Sequence, residues 1–376
     1  FLLRCEKITV LLDLREFNQA NDYMYIKKRY SFLSLILWTR VEIFVYLILA
    51  TLVAALFEIL GLKWLQLPWT PIALVGTAVA FLIGFQNNAS YGRIWEARQI
   101  WGGIVNYSRS WGIMVQELVD NDQTEEPLSE SALRKEKRIL IYRHIAWLSA
   151  LRYAMRQKKP WENKEEYRTN REWADRIHIP ERAMTFEESV QDLLSPEDRA
   201  YTLSKTNKST ALLSLQSRHL KKLKRQGHIW EFSFLELEKI LVEFFNLQGK
   251  SERIKNFPYP RQYATLSHYF VWIFIILLPF GVIPEFARIG GNLKEIFPVI
   301  APLFVWGGIP FTVIVSWVFS TMQRIGTEGE NPFEGSPNDV PISTIARGIE
   351  IDLREMLQEE KAQIPAPFSS QYHVQM

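Results

Sequence analysis

The chain is short of cysteine and histidine, and this limits the chemistry that it can carry. Cys5 is its single cysteine, which excludes an intramolecular disulfide and any zinc site built on cysteines. The histidines are scattered, and no two of them have the spacing that places two metal ligands on one helix face. They are His144, His178, His219, His228, His268 and His373. We therefore predict no metal site and no cofactor.

Catalytic signatures and a strong net charge are missing as well. The sequence has no glycine-rich phosphate loop, no nucleophile elbow and no cysteine–histidine pairing. Its formal net charge is only +3, which is too small to indicate a nucleic-acid partner. We therefore expect neither an enzyme nor a nucleic-acid-binding protein.

What the chain does have is long runs without charge. Hydrophobic residues make up 48% and charged residues 23% of the sequence, and the two classes occupy largely different stretches. Residues 43–57, 64–92, 262–284 and 296–323 contain no Asp, Glu, Lys or Arg. A transmembrane helix needs about 20 mostly apolar residues, and the first run reaches this length with its apolar neighbours. Buried helices of a large soluble protein are the alternative, but uncharged runs this long are rare in such helices.

The distribution of Lys and Arg predicts how these spans are oriented. The spans pair into two hairpins, and the short hairpin loops hold only Lys63, Arg288 and Lys294. The basic residues near the opposite ends of the spans are Lys27, Lys28, Arg29, Arg40, Arg93, Arg98, Arg109, Arg253, Lys255, Arg261 and Arg324. Because basic residues near span ends tend to stay in the cytoplasm, we predict that the polar middle region and both termini are cytoplasmic.

The spans divide the chain into segments. We predict a cytosolic N-terminal segment (1–40), a first transmembrane hairpin (41–92), a cytosolic helical domain (93–261), a second transmembrane hairpin (262–323) and a cytosolic C-terminal segment with a tail (324–376). Apolar residues at spacings of three and four predict helices in 131–156 and 232–245. Loops are expected at 120–129 and 157–170, and the polar tail beyond residue 360 should by itself be disordered. The fold class is therefore an all-α integral membrane protein with four transmembrane helices.

The second span carries the most informative pattern. Pro68 and Pro71 suit a helix start, and the next proline is Pro127, so one helix can cross the membrane and continue beyond it. Small residues recur along it every four positions and predict close helix packing, at Gly76, Ala80 and Gly84. The adjacent stripe is Thr77, Phe81 and Phe85. Around an axis of identical helices the rings would narrow a pore, whereas rings that face lipid or an ordinary core are the alternative.

The charges that follow this span have two interpretations. Arg93, Glu96 and Arg98 could attract anions towards a pore, but Arg93 and Glu96 also have the spacing of an ordinary i,i+3 ion pair. A basic cluster between residues 218 and 225 could meet anionic head groups. A solvated helix face is the plainer interpretation of that cluster.

Three blocks of the sequence resemble the bestrophin family, particularly its bacterial members. The first is GFQNNASYGRIWEAR (84–98) followed by WG (101–102), and the second is GKSERIKNFPYP (249–260), which leads straight into the third span. The third extends from ENPFE (330–334) to NDVPI (338–342). The blocks occur in the family's order and, together with the four spans, cover most of the chain.

The resemblance implies a homopentamer of mostly helical subunits around one central pore, which passes small monovalent ions across a bacterial plasma membrane. It implies a hydrophobic neck at Thr77, Phe81 and Phe85 and a second, cytosolic constriction at Leu235. The family often has an apolar residue at the position of Thr77. Apolar necks do not select the sign of the ion by themselves, but the scarcity of acids along the second span favours an anion such as chloride.

Two other classes of function stay open. A membrane-anchored regulator or scaffold, with a partner bound to its cytosolic helices, has no need of Phe81 and Phe85 in register around an axis. A transporter would typically show inverted repeats and helices broken near the middle of the membrane, and no such repeat is visible in the sequence.

Animal bestrophins carry a calcium clasp on a run of acids after the Asn-Pro-Phe motif. Calcium takes about six to eight oxygen ligands. The corresponding stretch here, residues 334–339, has acids only at its two ends, and Ser336 stands where an acid is expected, so Asp339 could keep a single ligand. We therefore predict no gating by calcium. The resemblance also implies that the tail wraps a neighbouring subunit.

Overall fold

The computed structural model describes residues 30–162, 167–174 and 179–369, and over these ranges it is helical without a strand, which confirms the all-α prediction there. Cys5, His178 and His373, the predicted N-terminal segment up to residue 29 and the tail from residue 370 lie outside the described residues. The helices are α1 (Phe32–Trp38), α2 (Arg40–Glu58), α3 (Trp69–Leu118), α4 (Glu130–Arg156), α5 (Arg168–Ala174), α6 (Pro180–Ala183), α7 (Phe186–Ser189), α8 (Pro196–Leu203), α9 (Lys208–Arg225), α10 (Glu231–Asn256), α11 (Arg261–Leu293), α12 (Phe304–Glu328) and α13 (Ile342–Met356).

Four helices are long and apolar enough to cross a membrane, as predicted: α2, α3, α11 and α12. They pack together into what we call the apolar end of the molecule, in which α12 contacts α2, α3 and α11. The centre of this packing is formed by α11, whose Phe274, Ile275 and Leu278 are buried against α2 and the first part of α3. The remaining helices, α4–α10 and α13, form the polar end together with the rest of α3.

The helix of the fourth span begins inside its uncharged run rather than at the start of that run. Its uncharged run starts at residue 296, but α12 starts at Phe304. Pro298 and Pro302 lie in the preceding stretch, where a 3₁₀ turn (Ala301–Leu303) stands in place of α-helix, because proline lacks a backbone N–H and clashes with the preceding turn. The turn packs tightly on α11, since a Cβ on Gly290 would lie 2.5 Å from the carbonyl oxygen of Ala301.

The long helix α3 joins the two ends of the molecule. It is one unbroken helix of 50 residues, about 75 Å long at 1.5 Å per residue, which confirms the prediction of a single helix. Pro68 is its N-cap residue and Pro71 lies in its first turn, where the missing N–H has no helical partner to lose. α3 packs against α11 and α12 at the apolar end and against α10 and α13 at the polar end.

The polar end has an aromatic core. Trp101, Trp111, Trp147 and Phe244 are fully buried, and the ring centroids of Trp147 and Phe244 lie 5.0 Å apart.

The helices predicted at 131–156 and 232–245 are confirmed as α4 and part of α10, and the predicted loop at 120–129 is confirmed as well. The predicted loop at 157–170 is shorter, because α5 begins at Arg168.

The tail beyond α13 packs back on its own subunit as far as residue 369. Nη1 of Arg354 donates a hydrogen bond to the carbonyl of Gln363 (3.3 Å), and the guanidinium carbon of Arg347 lies 4.5 Å from the ring centroid of Phe368. The polar composition predicts disorder for the tail by itself, and here arginines of α13 supply contacts that the tail alone lacks. Wrapping of a neighbouring subunit stays a prediction.

Candidate ion pathway

The predicted neck residues lie on one uncovered face of α3. The side chains of Phe81 and Phe85 are 66% and 69% exposed in the single subunit, and Thr77 is exposed one turn before Phe81. The hydroxyl of Thr77 donates to the carbonyl of Ala73 (2.9 Å) and is thus satisfied within the helix. Two large rings one turn apart make an apolar surface that the subunit itself does not cover.

The stripe of small residues beside these rings has two environments. A Cβ on Gly76 would lie 2.7 Å from Cε2 of Phe274, so this glycine makes room for α11 of the same subunit. Ala80 is exposed, and a Cβ on Gly84 would have nothing within 4 Å. Gly76 therefore packs within the subunit, and the contact of Ala80 and Gly84 with a neighbouring helix stays a prediction.

Behind the neck, α3 is held by a buried polar contact that the sequence analysis missed. Nε2 of Gln86 donates to Oε1 of Glu330 (3.0 Å) and to Oγ1 of Thr327 (3.4 Å). Gln86 and Glu330 are 2% and 0% exposed. The contact fastens the back of the neck to the end of α12. The sequence gives one signal for this contact: Gln86 belongs to the first bestrophin-like block and Glu330 to the third.

Arg93 fastens α3 to the end of α10. Its Nε donates to the carbonyl of Glu330 (2.7 Å), and its Nη2 donates to the carbonyls of Ile254 (2.9 Å) and Phe257 (3.0 Å). The last carbonyls of a helix have no partner within the helix, so the end of α10 offers acceptors that a guanidinium can bind. Arg93 thereby ties the helix that carries the neck to the helix that carries the second predicted constriction.

The ion pair that the spacing of Arg93 and Glu96 suggests is replaced by contacts between helices. Glu96 forms an ion pair with Arg253 of α10, while Arg93 binds the backbone carbonyls. Both charges therefore hold α3 against α10. Arg98, the third charge of the group, is exposed and forms no ion pair within the described ranges.

Leu235 lies on the uncovered face of α10. It is 46% exposed, and Phe232, Val242 and Phe245 are exposed on the same helix. The spacing of these four residues places them along one side of α10. An apolar side chain is therefore available at the predicted cytosolic constriction.

The two predicted constrictions lie far apart along the same pair of helices. A Cβ on Gly103 of α3 would lie 3.1 Å from Cδ2 of Leu247. This contact and the Glu96–Arg253 pair show that α10 runs antiparallel to α3. Leu235 therefore lies near the end of α3, roughly 45 Å from the level of Phe85 at 1.5 Å per residue.

The sequence as a whole matches a known family. The match is to the family described as bacterial/fungal bestrophin protein, and it covers residues 33–355, most of the chain. This chain belongs to the bestrophin family. The resemblance carried by the three blocks is thereby confirmed, and membership in a family of membrane proteins agrees with the four apolar helices.

Relatives and solved structures agree with the bestrophin assignment. The chain is 27% identical over 317 residues to the voltage-dependent anion channel-forming protein YneE of Escherichia coli, which is 84% of either chain. It is 26% identical over 294 residues to the voltage-dependent anion channel-forming protein RSc3414 of Ralstonia nicotianae, covering 78% of this chain and 79% of that one. A crystal structure of a bacterial bestrophin homolog from Klebsiella pneumoniae matches with a TM-score of 0.62 over 85% of this chain and 98% of that chain, at 21% identity, and shows the same fold.

In this bestrophin the loop after α12 closes on Asp339. Its Oδ2 accepts hydrogen bonds from the backbone amides of Gly335 (2.6 Å) and Ser336 (3.0 Å), and its Oδ1 accepts one from the hydroxyl of Ser336. Gly335 has a φ of +85°, which glycine adopts at no steric cost. Ser336, which stands where an acid was expected, therefore acts as a donor to Asp339.

A buried arginine lies beneath this loop. Nη1 of Arg156 in α4 donates to the carbonyl of Phe333 (2.9 Å) and lies 4.0 Å from Oδ2 of Asp339. Nε of Arg156 lies 3.8 Å from Oε2 of Glu181. Burial lowers the pKa of Arg156, although the carboxylates of Glu181 and Asp339 oppose this shift, and a guanidinium in a protein stays protonated. The chain thus supplies a positive charge of its own to the loop.

Proposed function

We propose that five copies of this bestrophin assemble around one axis and form a channel for small monovalent ions in a bacterial plasma membrane. The observation that carries the proposal is the uncovered face of α3 and α10, with Phe81 and Phe85 at one end and Leu235 at the other. Exposed large apolar side chains that a subunit leaves uncovered can mark interaction sites. Identical copies around a symmetry axis would bring these side chains together on the axis.

At the neck, five copies of Phe81 and Phe85 would make two successive apolar rings. Water leaves a narrow apolar constriction readily, so such a neck can close by dewetting without a moving plug. The edges of aromatic rings carry partial positive charge, which favours a passing anion that has lost part of its water. Thr77 would add a third ring, with its hydroxyl bonded back to the helix.

We further propose that the permeant ion is an anion such as chloride. The relatives from E. coli and R. nicotianae are named anion channel-forming proteins. In addition, residues 69–92 of α3 contain no carboxylate, so the neck offers no acidic side chain to a cation. The names of the relatives and the composition of the neck therefore favour the same sign of ion.

The polar end and both termini are placed in the cytoplasm under this proposal. Arg40, Arg93, Arg261 and Arg324 all lie near where the spans meet the polar end, whereas the two hairpin loops carry few basic residues. Basic residues near span ends mark the cytoplasmic side. The uncovered face below the neck would then line a cytosolic vestibule that ends at Leu235.

Recording from the purified protein in planar bilayers under a chloride gradient tests this function. We expect currents whose reversal potential follows chloride and shifts when gluconate replaces it, and native mass spectrometry should give a mass of five subunits. Folded pentamers that pass no current under any condition would leave the membrane scaffold as the better explanation. A different stoichiometry would overturn the proposed assembly.

We expect these currents to be insensitive to calcium. Asp339 is already engaged by three donors within its loop, and Arg156 supplies the positive charge beneath it. A calcium ion would have to displace these contacts and collect several further oxygen ligands. The measurement is the current before and after a chelator, followed by calcium, on the side of the polar end. A reproducible rise or fall with calcium would contradict the prediction.

A further inference from the structure

Below the neck, the uncovered faces of α3 and α10 carry two cationic side chains that the fold does not pair. Other charges on these faces form ion pairs with a neighbouring residue, namely Glu96 with Arg253, Arg109 with Asp352 and Lys239 with Glu236. Arg98 and Lys250 are exposed, and neither forms an ion pair or a side-chain hydrogen bond with any residue that the structure describes. Two positive charges per subunit are therefore left on this surface.

Arg98 and Lys250 lie at the same level of the molecule. The Glu96–Arg253 ion pair precedes this level along α3, and the contact between Gly103 and Leu247 follows it. Because the two helices are antiparallel, Arg98 of α3 and Lys250 of α10 lie at the same position along the helix axes. This level is roughly 20 Å from Phe85 along α3, and roughly 22 Å from Leu235 along α10. It lies between the two proposed constrictions.

The side of α10 that carries Leu235 also carries Lys250. Exposed residues follow one another along it at spacings of three or four, which keeps them on one face of a helix. They are Leu235, Lys239, Val242, Asn246 and Lys250. If Leu235 borders the ion pathway, Lys250 borders it as well.

Acidic side chains do not cancel these charges locally. Glu243 is half-buried and lies two turns from Lys250, about 10 Å along the helix. Glu117 is near the far end of α3, about 28 Å from Arg98. The Debye length at physiological ionic strength is about 8 Å, so both carboxylates act weakly at this level. Glu252, two residues beyond Lys250, is half-buried on the opposite side of α10, where its Oε1 accepts hydrogen bonds from Asn207 (3.0 Å) and Gln248 (2.8 Å). The exposed surface at the level of Arg98 and Lys250 is therefore positive.

We propose that Arg98 and Lys250 form a cationic belt that concentrates anions in the vestibule between the two proposed constrictions and so raises the anion preference of the channel. The inference rests on the proposed function and names the residues that give it its ion selectivity. Five subunits would place ten positive charges at this level, with Lys250 on the side of α10 that carries Leu235. Protein walls of low dielectric focus such a field and raise the local concentration of the counter-ion, while the apolar neck itself stays uncharged.

The test is the double variant Arg98→Gln with Lys250→Gln, recorded under a sodium chloride gradient. We expect the chloride-to-sodium permeability ratio to fall by about threefold or more at low salt, because the local anion excess is lost. In 1 M salt, where the Debye length is about 3 Å, the difference from the unmodified protein should nearly vanish. Lys250→Glu should lower the ratio further than Lys250→Gln.

The matched control is Lys221→Gln with Lys222→Gln on α9, which removes the same charge from an exposed surface elsewhere. It should leave the permeability ratio unchanged. Normal currents with an unchanged ratio in the Arg98/Lys250 variant would overturn the belt and leave the channel function standing. Loss of the pentamer from the Arg98/Lys250 variant would overturn it too, since the two cations would then pair with the neighbouring subunit rather than face the vestibule. A silent unmodified protein would overturn the channel function itself, and the belt with it.

Discussion

Replacing both neck rings, Phe81→Ala with Phe85→Ala, is expected to raise the bilayer current about tenfold or more and to remove the closed periods that a dewetted neck produces. The change takes two aromatic rings per subunit out of the proposed neck, which would widen the neck and lower its barrier to hydration. A barrier lower by about 1.4 kcal/mol already corresponds to a tenfold change in rate. Because both side chains are more than half exposed in the subunit, the subunit itself should lose little stability.

Two further variants make this result specific to the neck. Phe81→Leu with Phe85→Leu keeps the stretch apolar, so it should still close, and any change in its chloride preference measures the contribution of the ring edges. Phe44→Ala with Phe311→Ala removes two exposed rings from α2 and α12, away from the proposed pathway, and should leave the current unchanged. An unaltered current from Phe81→Ala/Phe85→Ala pentamers of normal mass and melting temperature would place the neck elsewhere.

The spans and the long helix could be predicted because they depend on composition alone. A charge inside the bilayer is costly, so uncharged runs mark the spans without knowledge of their neighbours. The run of α3 from Pro71 to Leu118 has no proline to interrupt it. Composition does not mark the start of α12, because an apolar run shows what can lie in lipid, whereas Pro298 and Pro302 decide where the helix begins.

The faces of α3 could not be predicted, because they depend on which helix packs against which side. Gly76 and Gly84 are equivalent in the sequence pattern, yet Gly76 lies against Phe274 and Gly84 is open. That difference follows from the position of α11, which starts more than 160 residues later in the chain. The residues of the proposed neck were therefore recognised by family resemblance, and their exposure in the subunit is a separate observation.

Local spacing was misleading at Arg93 for a related reason. An i,i+3 ion pair on an exposed helix is worth only a few tenths of a kcal/mol. The unpaired carbonyls at the end of α10 offer a partly buried guanidinium several acceptors at once, which stabilises it more. Arg93 and Glu96 therefore each bind the end of α10 instead of each other.

The same kind of distant contact gives Arg324 its place in the fold. The side chain is 2% exposed and lies where α12 leaves the apolar end. Its Nη1 donates to Oε1 of Glu42 in α2 (2.8 Å), and its Nε donates to Oε1 of Glu328 (3.2 Å). Its Nη2 donates to Thr169 and Asn170 of α5, both at 2.7 Å. A single guanidinium thus joins α12 to two other helices.

Two aromatic rings complete the surroundings of Arg324. The ring centroids of Trp38 and Tyr167 each lie 4.1 Å from the guanidinium carbon, and Nη1 also donates to the carbonyl of Trp38 (3.1 Å). The arginine is therefore held between two rings as well as by two carboxylates. A lysine has neither the planar group nor the five donors that this arrangement uses.

We expect Arg324→Met to lower the free energy of unfolding by about 3–5 kcal/mol, because it leaves two carboxylates, only 18% and 16% exposed, without their cation. For a chain of this size that corresponds to a fall of roughly 4–6 °C in melting temperature, measured on the detergent-solubilised protein. The melting temperature of Arg324→Lys should lie between those of Arg324→Met and the unmodified protein. Arg288→Gln is the matched control, since Arg288 forms an exposed ion pair with Glu285. This variant should have the melting temperature of the unmodified protein.

The carboxylates, rather than the arginine, should account for most of this loss. Breaking a buried ion pair from one side is destabilising mainly because it leaves the other charge buried and unpaired. The triple variant Arg324→Met with Glu42→Gln and Glu328→Gln removes all three charges, so it should recover about half or more of the lost stability. If the triple variant instead melts as low as Arg324→Met alone, the stabilisation comes from the hydrogen bonds to α5 and the two aromatic rings. In that case Arg324 acts as a geometric link between α1, α5 and α12, and the charges of Glu42 and Glu328 contribute little to the fold.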